Sequence, residues 1–423
     1  MRIADVRVTP IAFRDPPLLN AAGIHEPYAL RSIIEVVAEN GETGLGEGYG
    51  DAAALAALQA VTPRLVGLSV HDLNGLRRIV AETLSGLPPP PPGAELAPGS
   101  DPARQGANCC SAFEVPMLDL QAQASGVPLH ALLGGAVRDD VPFSAYLFYK
   151  YARHIEPEEP ADSWGEAITP AQMVAQARRM IDRHGFGSIK LKAGTLPPSV
   201  EIATIEALAD AFPDYPLRID PNGAWSMETA IAAADRLRGL IEYYEDPVNG
   251  LEAMAELHRR TGLPLATNMV VTCFDHLRRS VALNAVQIVL SDHHYWGGLR
   301  DSQSLGAMCA TFGLGLSMHS DSHLAISLMA MAHLAAATPN LTYACDTHYP
   351  WVEDADEVVR GGKIAFMNGC VRVGDRPGLG LAIDPVRLAR GKATFDRIAI
   401  RTRDDTGQMR KYDPAFSPVK PRY

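Results

Sequence analysis

The sequence predicts an α/β protein in which a (β/α)8 TIM-like barrel is covered by an α+β capping domain. From about residue 140, eight short apolar runs alternate with helical patterns of about 12 to 18 residues, the signature of βα units on a parallel sheet. The chain before this point instead contains long strand-like segments followed by helical ones. With 423 residues the chain also exceeds one small domain, because domains average roughly 150 residues.

Residues 1–135 are predicted as the N-terminal part of the capping domain. The segments "RIADVRVTPIAF" and "LRSIIEVVAENGETGLGEGYG" indicate strands with a turn at "ENGET", and "DAAALAALQAV" and "SAFEVPMLDLQAQASG" indicate helices. Between these helices, residues 85–106 include a run of prolines, which favours an extended polyproline conformation. We interpret this proline-rich stretch as a surface excursion, with a lid over an active site as the alternative.

Residues 136–375 are predicted as the barrel, and residues 376–423 as a segment that returns to the capping domain. Late in the barrel, "KIAFMNGCVRV" indicates a strand pair, and the tail after it shows few helical signals. The eight candidate barrel strands are "FSAYLFY", "GSIKLKA", "PLRID", "IEYYEDP", "LPLATNM", "AVQIVLSD", "LGLSMHS" and "LTYACDT".

Composition and charge limit the partners of this chain. The formal net charge of −11 and the lack of a basic stripe argue against a nucleic-acid partner. No run of 18 apolar residues indicates a membrane span, and the first residues lack the pattern of a signal peptide, so we expect a cytoplasmic protein. The six cysteines show no CxxC or zinc-finger spacing and are predicted to be reduced core thiols.

Polar residues stand at the ends of six successive candidate strands, at intervals of 23 to 28 residues. They are Lys192, Asp220, Glu245, Asn268, Asp292 and His319. The C-terminal strand ends of a (β/α)8 barrel surround one mouth, where the active sites of this fold lie. We therefore expect these six side chains to converge.

Three of the strand-end residues form a candidate metal site. Asp220, Glu245 and Asn268 offer hard oxygen donors with a total charge of about −2, which suits Mg2+ with space left for water and substrate. The alternative is that these residues cap the helices that follow them.

Two lysines share one face of the strand "SIKLKAG", because side chains alternate along a strand. A like charge at close range and a nearby metal ion lower the pKa of an amine, so Lys192 is predicted to act as a base. Lys190, nearer the interior of the strand, is predicted to stay charged and to hold a substrate carboxylate. The alternatives are two solvent-facing lysines on an edge strand, or a Schiff-base lysine.

Asp292 and His319 are expected on neighbouring strands across the mouth. A carboxylate that accepts a hydrogen bond from one ring nitrogen fixes the tautomer and raises the basicity of the other nitrogen. His319 is therefore predicted to be a catalytic acid or base. His323, four residues further on, is interpreted as structural.

Two bases on opposite faces of a metal-bound carboxylate can remove the proton from the carbon beside that carboxylate. If the next carbon carries a hydroxyl, a protonated His319 can assist its departure as water, which leaves a 2-keto-3-deoxy acid. If no leaving group is present, reprotonation from the other face gives racemisation.

These residues resemble the enolase superfamily, of the mandelate racemase and muconate lactonizing enzyme type, and within it the glucarate dehydratases. The resemblance rests on "AFRDPPLLNAAGIHEPYALRSIIEV", "KLKAG", "DPNGAW", "EDP", "ATNMVVT", "MHSDSHLAISL", "DTH" and "RDD", and it covers nearly the whole chain. It implies a modified barrel with one strand reversed near its start, a cap built from both chain ends, and a homo-oligomer. It also implies bound Mg2+ and dehydration of D-glucarate or L-idarate to 5-dehydro-4-deoxyglucarate. The residues that it places against the substrate are His25, Tyr146, Asn222, Ser320, His348 and Arg403.

This sequence departs from the glucarate dehydratase pattern at three places. A threonine-containing loop motif is replaced by the proline-rich stretch 85–106. The segment after "EDP" is shortened, so Glu245 is expected to supply the metal ligand, with Glu252 as the alternative. Asp321 replaces the usual asparagine, so either its carboxylate turns away from the substrate or the substrate differs there.

The leading hypothesis is a Mg2+-dependent acid-sugar dehydratase that acts on a small carboxylate sugar, with D-glucarate as the first substrate to test. A racemase or epimerase that uses the same two bases is one alternative, and a dehydratase of another acid sugar is a second. The third is a non-catalytic member that only binds a ligand.

Overall fold

The computed structural model of the chain describes residues 1–86 and 104–423. Within the described ranges, no helix has both the length and the apolar character to cross a membrane. The predicted α/β barrel with an α+β cap is confirmed.

The cap is built on a three-stranded antiparallel sheet in the order β1-β4-β5. A short hairpin, β2–β3, lies between the first two of these strands, and helices α1 to α3 follow the sheet. The bounds are β1 Ile3–Arg14, β2 Leu19–Asn20, β3 Gly23–Ile24, β4 Tyr28–Ala38, β5 Thr43–Tyr49, α1 Ala52–Leu65, α2 Leu73–Leu84 and α3 Gln105–Ala124. Helix α3 packs closely on β5, where Gly44 and Gly46 leave no room for a side chain against Pro116 and Ala112.

The barrel consists of eight parallel strands in the order β7 to β14. Its closing contact joins Phe143, beside β7, to Cys345, beside β14, through a parallel bridge. The strands are β7 Ala145–Phe148, β8 Ile189–Lys192, β9 Leu217–Asp220, β10 Tyr243–Glu245, β11 Leu265–Thr267, β12 Ile288–Ser291, β13 Gly315–Ser320 and β14 Asp346–Thr347. All eight candidate strands are confirmed, and each is shorter than its apolar run.

Seven long helices surround the barrel strands. They are α5 Pro170–His184, α6 Pro198–Ala211, α7 Met227–Leu237, α8 Leu251–Thr261, α9 Phe274–Leu283, α10 Leu299–Phe312 and α11 Ala325–Ala336, after the short α4 Leu129–Leu132. Helix α11 is buried along its whole length because the cap covers its outer side. Strand β6, Asp140–Pro142, pairs antiparallel with β15, Cys370–Arg372, in a separate two-stranded sheet. The expectation of one reversed strand within the barrel is wrong, because neighbouring strands of the eight-stranded sheet pair in parallel.

Two expectations for the C-terminal part are wrong. "KIAFMNGCVRV" contains only β15, because a turn at Asn368 and Gly369 leaves a single bridge from Met367 to Cys370. The tail contains two helices, α12 Pro385–Arg397 and α13 Asp405–Arg410. Asp384 caps α12 by accepting hydrogen bonds from the N–H groups of Val386 and Arg387. An aspartate cap followed by proline at the first helical position is a common signal for the start of a helix. Helix α12 packs on β1 and α13 on β3, so the tail contacts the cap.

Glu47 on β5 joins the cap to the barrel. Its buried carboxylate accepts the N–H of Leu324 at 2.7 Å and of Ser327 at 3.0 Å, at the start of α11. It also lies 3.2 Å from Nδ1 of His323. The position of His323 against Glu47 agrees with the structural interpretation of this histidine.

Replacement Glu47→Ala is expected to lower the free energy of unfolding by roughly 1–3 kcal/mol, because buried N–H groups lose their acceptor. Denaturant unfolding followed by circular dichroism measures this change. Glu82→Ala, at an exposed ion pair with Arg64, serves as the control and is expected to stay within about 0.5 kcal/mol. Equal midpoints for the two variants would contradict the proposed link.

Candidate active site

A cavity of about 250 Å³ lies at the C-terminal ends of the barrel strands, below the cap. The side chains of Lys192, Asn268 and His319 line it together with residues of the cap and the tail. Three other strand-end residues, Asp220, Glu245 and Asp292, lie buried around these three, with exposures of 0 to 1%. The structure thus places the six predicted strand-end residues at one mouth.

The two lysines of β8 make different contacts. Lys192 lies opposite Asp220 in the register of β8 and β9, and its Nζ donates to Asp220 Oδ2 at 2.7 Å and to Asn222 Oδ1 at 3.1 Å. Lys190 is fully buried, and its Nζ donates to Glu245 Oε1 at 2.7 Å and to Asp346 Oδ2 at 3.1 Å. Burial disfavours the charged form of Lys190, but the carboxylates of Asp346 and Glu245 outweigh it and raise the pKa. Lys190 therefore serves as the counter-charge of an acidic cluster. It does not line the cavity, and its contact with a substrate carboxylate stays a prediction.

That acidic cluster contains Asp220, Glu245 and Asp246, whose carboxylate oxygens lie within 4.8 Å of one another. Burial, together with the charge of Asp220, raises the pKa of Asp246 to about 6. Asp246 accepts the hydroxyl of Thr267 at 2.6 Å and the N–H of Asn268 at 3.0 Å, which fixes the start of the loop after β11. The side-chain oxygen Oδ1 of Asn268 is buried and has no hydrogen-bond partner within the described part of the chain.

Across the mouth, His319 pairs with Asp292. Nδ1 of His319 lies 3.4 Å from Oδ2 of Asp292, while Oδ1 of Asp292 accepts from the backbone N–H of His294 at 2.9 Å and lies 2.8 Å from its Nδ1. Burial opposes the charge of Asp292, but His294 and His319 hold its pKa well below the usual range. A charged Asp292 fixed by His294 leaves Nε2 of His319 as the nitrogen available for proton transfer.

Four of the six residues that the resemblance places against the substrate line the cavity: His25, Asn222, His348 and Arg403. The other two lie beneath it. Tyr146 is fully buried under the ammonium of Lys190, 4.6 Å from the ring centroid, and the hydroxyl of buried Ser320 donates to Thr347.

Asp321 remains in the cavity wall and does not turn away. Its Oδ2 accepts the hydroxyls of Tyr49 and Tyr295, both at 2.8 Å. Burial opposes its charge, but His319 and His348 hold the pKa of Asp321 below its usual range. This side of the cavity is therefore anionic and unfavourable for a substrate carboxylate.

Glu252 is not near the site. Its side chain is 62% exposed on α8 and pairs with Arg279, so this alternative metal ligand is wrong. Most of the proline-rich stretch, residues 87–103, lies outside the described residues, and neither interpretation of it is tested. At its end, Arg104 lines the cavity, with its guanidinium 4.2 Å from the ring centroid of Tyr295.

Several residues of the site were not predicted. Asp346 stands at the end of the eighth strand and pairs with His319 in register, so the rule applied to the other strand ends would have found it. Asp15 lies beside His25, and Asp405 binds Arg403, but both come from segments whose position depends on the tertiary fold. Lys420 lines the cavity from the tail, and no local pattern marks it.

Comparison with known proteins agrees with this geometry. The family model "Enolase C-terminal domain-like" matches residues 172–387. A "probable glucarate dehydratase" of Streptomyces coelicolor is 49% identical, over 100% of this chain and 99% of the relative. An enolase structure from Pseudomonas fluorescens Pf0-1 with bound magnesium, potassium and tartrate is 62% identical, covers 100% of this chain and 99% of its own, and has a TM-score of 0.98.

A second solved structure, an enolase from Mycobacterium smegmatis in complex with tartrate, is 53% identical with a TM-score of 0.93. It covers 100% of this chain and 98% of its own. The similarity spans the cap, the barrel and the tail, and so confirms the resemblance that the motifs indicated. The chain belongs to the enolase superfamily.

Proposed function

We propose that the chain is a Mg2+-dependent acid-sugar dehydratase, a hydro-lyase whose first substrate to test is D-glucarate. The observation that carries the proposal is the pair Lys192 and His319, which face one cavity beside a buried cluster of oxygen donors. The relative from S. coelicolor supports the reaction class, and the tartrate in two structural neighbours supports a hydroxylated carboxylate as ligand.

The donor set fits a divalent cation. Asp220, Glu245 and Asp246 bring carboxylate oxygens within 4.8 Å of one another, beside the two lysines that pair with Asp220 and Glu245. Asn268 Oδ1 adds a buried acceptor without a partner in the described residues, and such oxygen donors suit Mg2+. Asp220, Glu245 and Asn268 would hold Mg2+, which the P. fluorescens neighbour contains. When bound, the ion supplies positive charge beside the substrate carboxylate and stabilises negative charge that develops there.

The two bases act from different strands. Strands β8 and β13, which carry Lys192 and His319, are separated by two strands on one side of the barrel and by four on the other. A substrate between them presents one face of its reacting carbon to each base. Lys192 would take the proton of one epimer at this carbon and His319 that of the other, so D-glucarate and L-idarate would yield the same enol.

His319 also serves the second step. Protonated on Nε2 and oriented by Asp292, it would donate its proton to the hydroxyl on the neighbouring carbon, which leaves as water. The enol then becomes the ketone and takes one proton at that carbon. The product is 5-dehydro-4-deoxyglucarate.

A screen of acid sugars tests this function. The Mg2+-loaded protein is expected to convert D-glucarate to a 2-keto acid, trapped as its semicarbazone, and removal of the metal with EDTA is expected to abolish conversion. If neither dicarboxylic nor monocarboxylic acid sugars give a 2-keto product, the proposal fails. Epimerisation without dehydration would favour the racemase alternative, which the two-base geometry also allows.

A further inference from the structure

Residues 417–423, here called the tail strap, cross the mouth of the barrel. The N–H groups of Arg422 and Tyr423 donate to the carbonyl of Ala224 at 2.7 and 3.2 Å, and the carbonyl of Tyr423 accepts the N–H of Ser226 at 2.5 Å. The Arg422 guanidinium donates to the carbonyl of Ala21, in the hairpin β2–β3, at 2.6 Å. The tail strap therefore bridges the barrel and the cap at the edge of the cavity.

Lys420 is the residue of the tail strap that reaches the cavity. Its Nζ donates to the carbonyl oxygen of Asn222, and its side chain forms part of the cavity wall. Among the residues that the structure describes, no carboxylate oxygen lies within 4.0 Å of its Nζ. Lys420 is thus a cation at the cavity that, within the described part of the chain, pairs directly with no carboxylate, although Asp220 and Asp246 lie close enough to favour its charge.

Of the three other cations that the described residues contribute to the wall, Arg104 lies on the ring of Tyr295 and donates to the carbonyl of Met269 at 3.2 Å. The other two, Lys192 and Arg403, pair with carboxylates. Lys192 pairs with Asp220 at 2.7 Å. Arg403 donates through Nε and Nη2 to the two oxygens of Asp405 at 2.7 and 2.9 Å, and its Nη1 lies 3.5 Å from Asp15. One guanidinium thus faces two carboxylates, so this group offers no net positive charge to an anion.

A dicarboxylic substrate needs a place for its second carboxylate. When its reacting carboxylate lies at the acidic cluster, the wall at Asp321 repels the second one, and the charge of Arg403 is balanced. We propose that the ammonium of Lys420 binds this second carboxylate, and that Lys420 thereby selects dicarboxylic over monocarboxylic acid sugars. This inference rests on the proposed function and adds a binding residue and a specificity to it.

Titration calorimetry with D-glucarate and D-gluconate tests the role of Lys420, because the two acids differ only in the second carboxylate. The Mg2+-loaded His319→Asn protein serves as the parent, so that binding is measured without dehydration. Lys420→Met is expected to weaken D-glucarate binding about 10- to 100-fold, the range for loss of a hydrogen bond between charged groups, and to change D-gluconate binding less than about threefold.

Two further variants complete the test. Lys420→Arg keeps the charge and is expected to retain most of the D-glucarate affinity, whereas Lys392→Met, at an exposed pair with Asp396, is expected to change nothing. An equal loss for both acids in Lys420→Met, or no loss for D-glucarate, would overturn the role of Lys420. If neither acid binds the parent, the role of Lys420 in binding D-glucarate is overturned, whereas the dehydratase function itself is decided by the screen of acid sugars.

Discussion

Replacement His319→Asn is expected to lower kcat for dehydration of both D-glucarate and L-idarate about 10²- to 10⁴-fold. Asparagine keeps the size and polarity of the site but carries no proton for the departing hydroxyl. The proton on the carbon next to the carboxylate is expected to exchange with solvent in one epimer only. This is the epimer whose proton faces Lys192. Kinetics of product formation and proton NMR of the recovered substrate measure the two effects separately.

His276→Asn is the matched control, because His276 is exposed on α9 and does not line the cavity. It is expected to leave kcat unchanged. A His319→Asn protein that still dehydrates both epimers at the parent rate would remove His319 from the mechanism and leave Lys192 as the base for both.

Replacement Lys190→Met is expected to abolish turnover and to destabilise the metal-free protein by about 3–5 kcal/mol. The reason is that the fully buried Glu245 loses its lysine partner, while the fully buried Asp346 is left with Arg218 alone. Added Mg2+ is expected to restore part of the stability, since an ion that binds only the folded state stabilises it. Denaturant unfolding with and without Mg2+ measures both effects.

Lys392→Met again provides the comparison, because it removes one positive charge from an exposed position. Its unfolding midpoint is expected to match that of the parent with or without Mg2+. If Lys190→Met were as stable as this control in the absence of metal, the acidic cluster would not depend on Lys190 for its balance.

The barrel and the strand-end side chains could be predicted from the sequence, because both follow from local patterns of residues. Short apolar runs at βα spacing give the strands, and the residue at each strand end points to the mouth, as Lys192 and Asp292 show. Alternation along β8 also places Lys190 on the same face. The full burial of Lys190 could not be predicted, because its charge is balanced there by Asp346. This aspartate lies on β14, the last strand of the barrel.

Most of the residues that the cap and the tail contribute to the site could not be predicted from the sequence. Tyr49 binds Asp321 across 272 positions of the chain, and Lys420 meets Asn222 across 198. No local spacing encodes such pairs. Only the resemblance placed His25 and Arg403 at the cavity, and it did not show that Asp405 already neutralises Arg403.

The most direct test of the proposed chemistry follows D-glucarate by proton NMR in D2O with the Mg2+-loaded protein. The two-base mechanism predicts 5-dehydro-4-deoxyglucarate with one deuteron in the new methylene group, because the enol takes a proton from solvent as it becomes the ketone. Lys192→Met is expected to lose turnover of one of the two epimers, D-glucarate or L-idarate. If no acid sugar gave product and none took up deuterium, this result would contradict the proposed enolic dehydration.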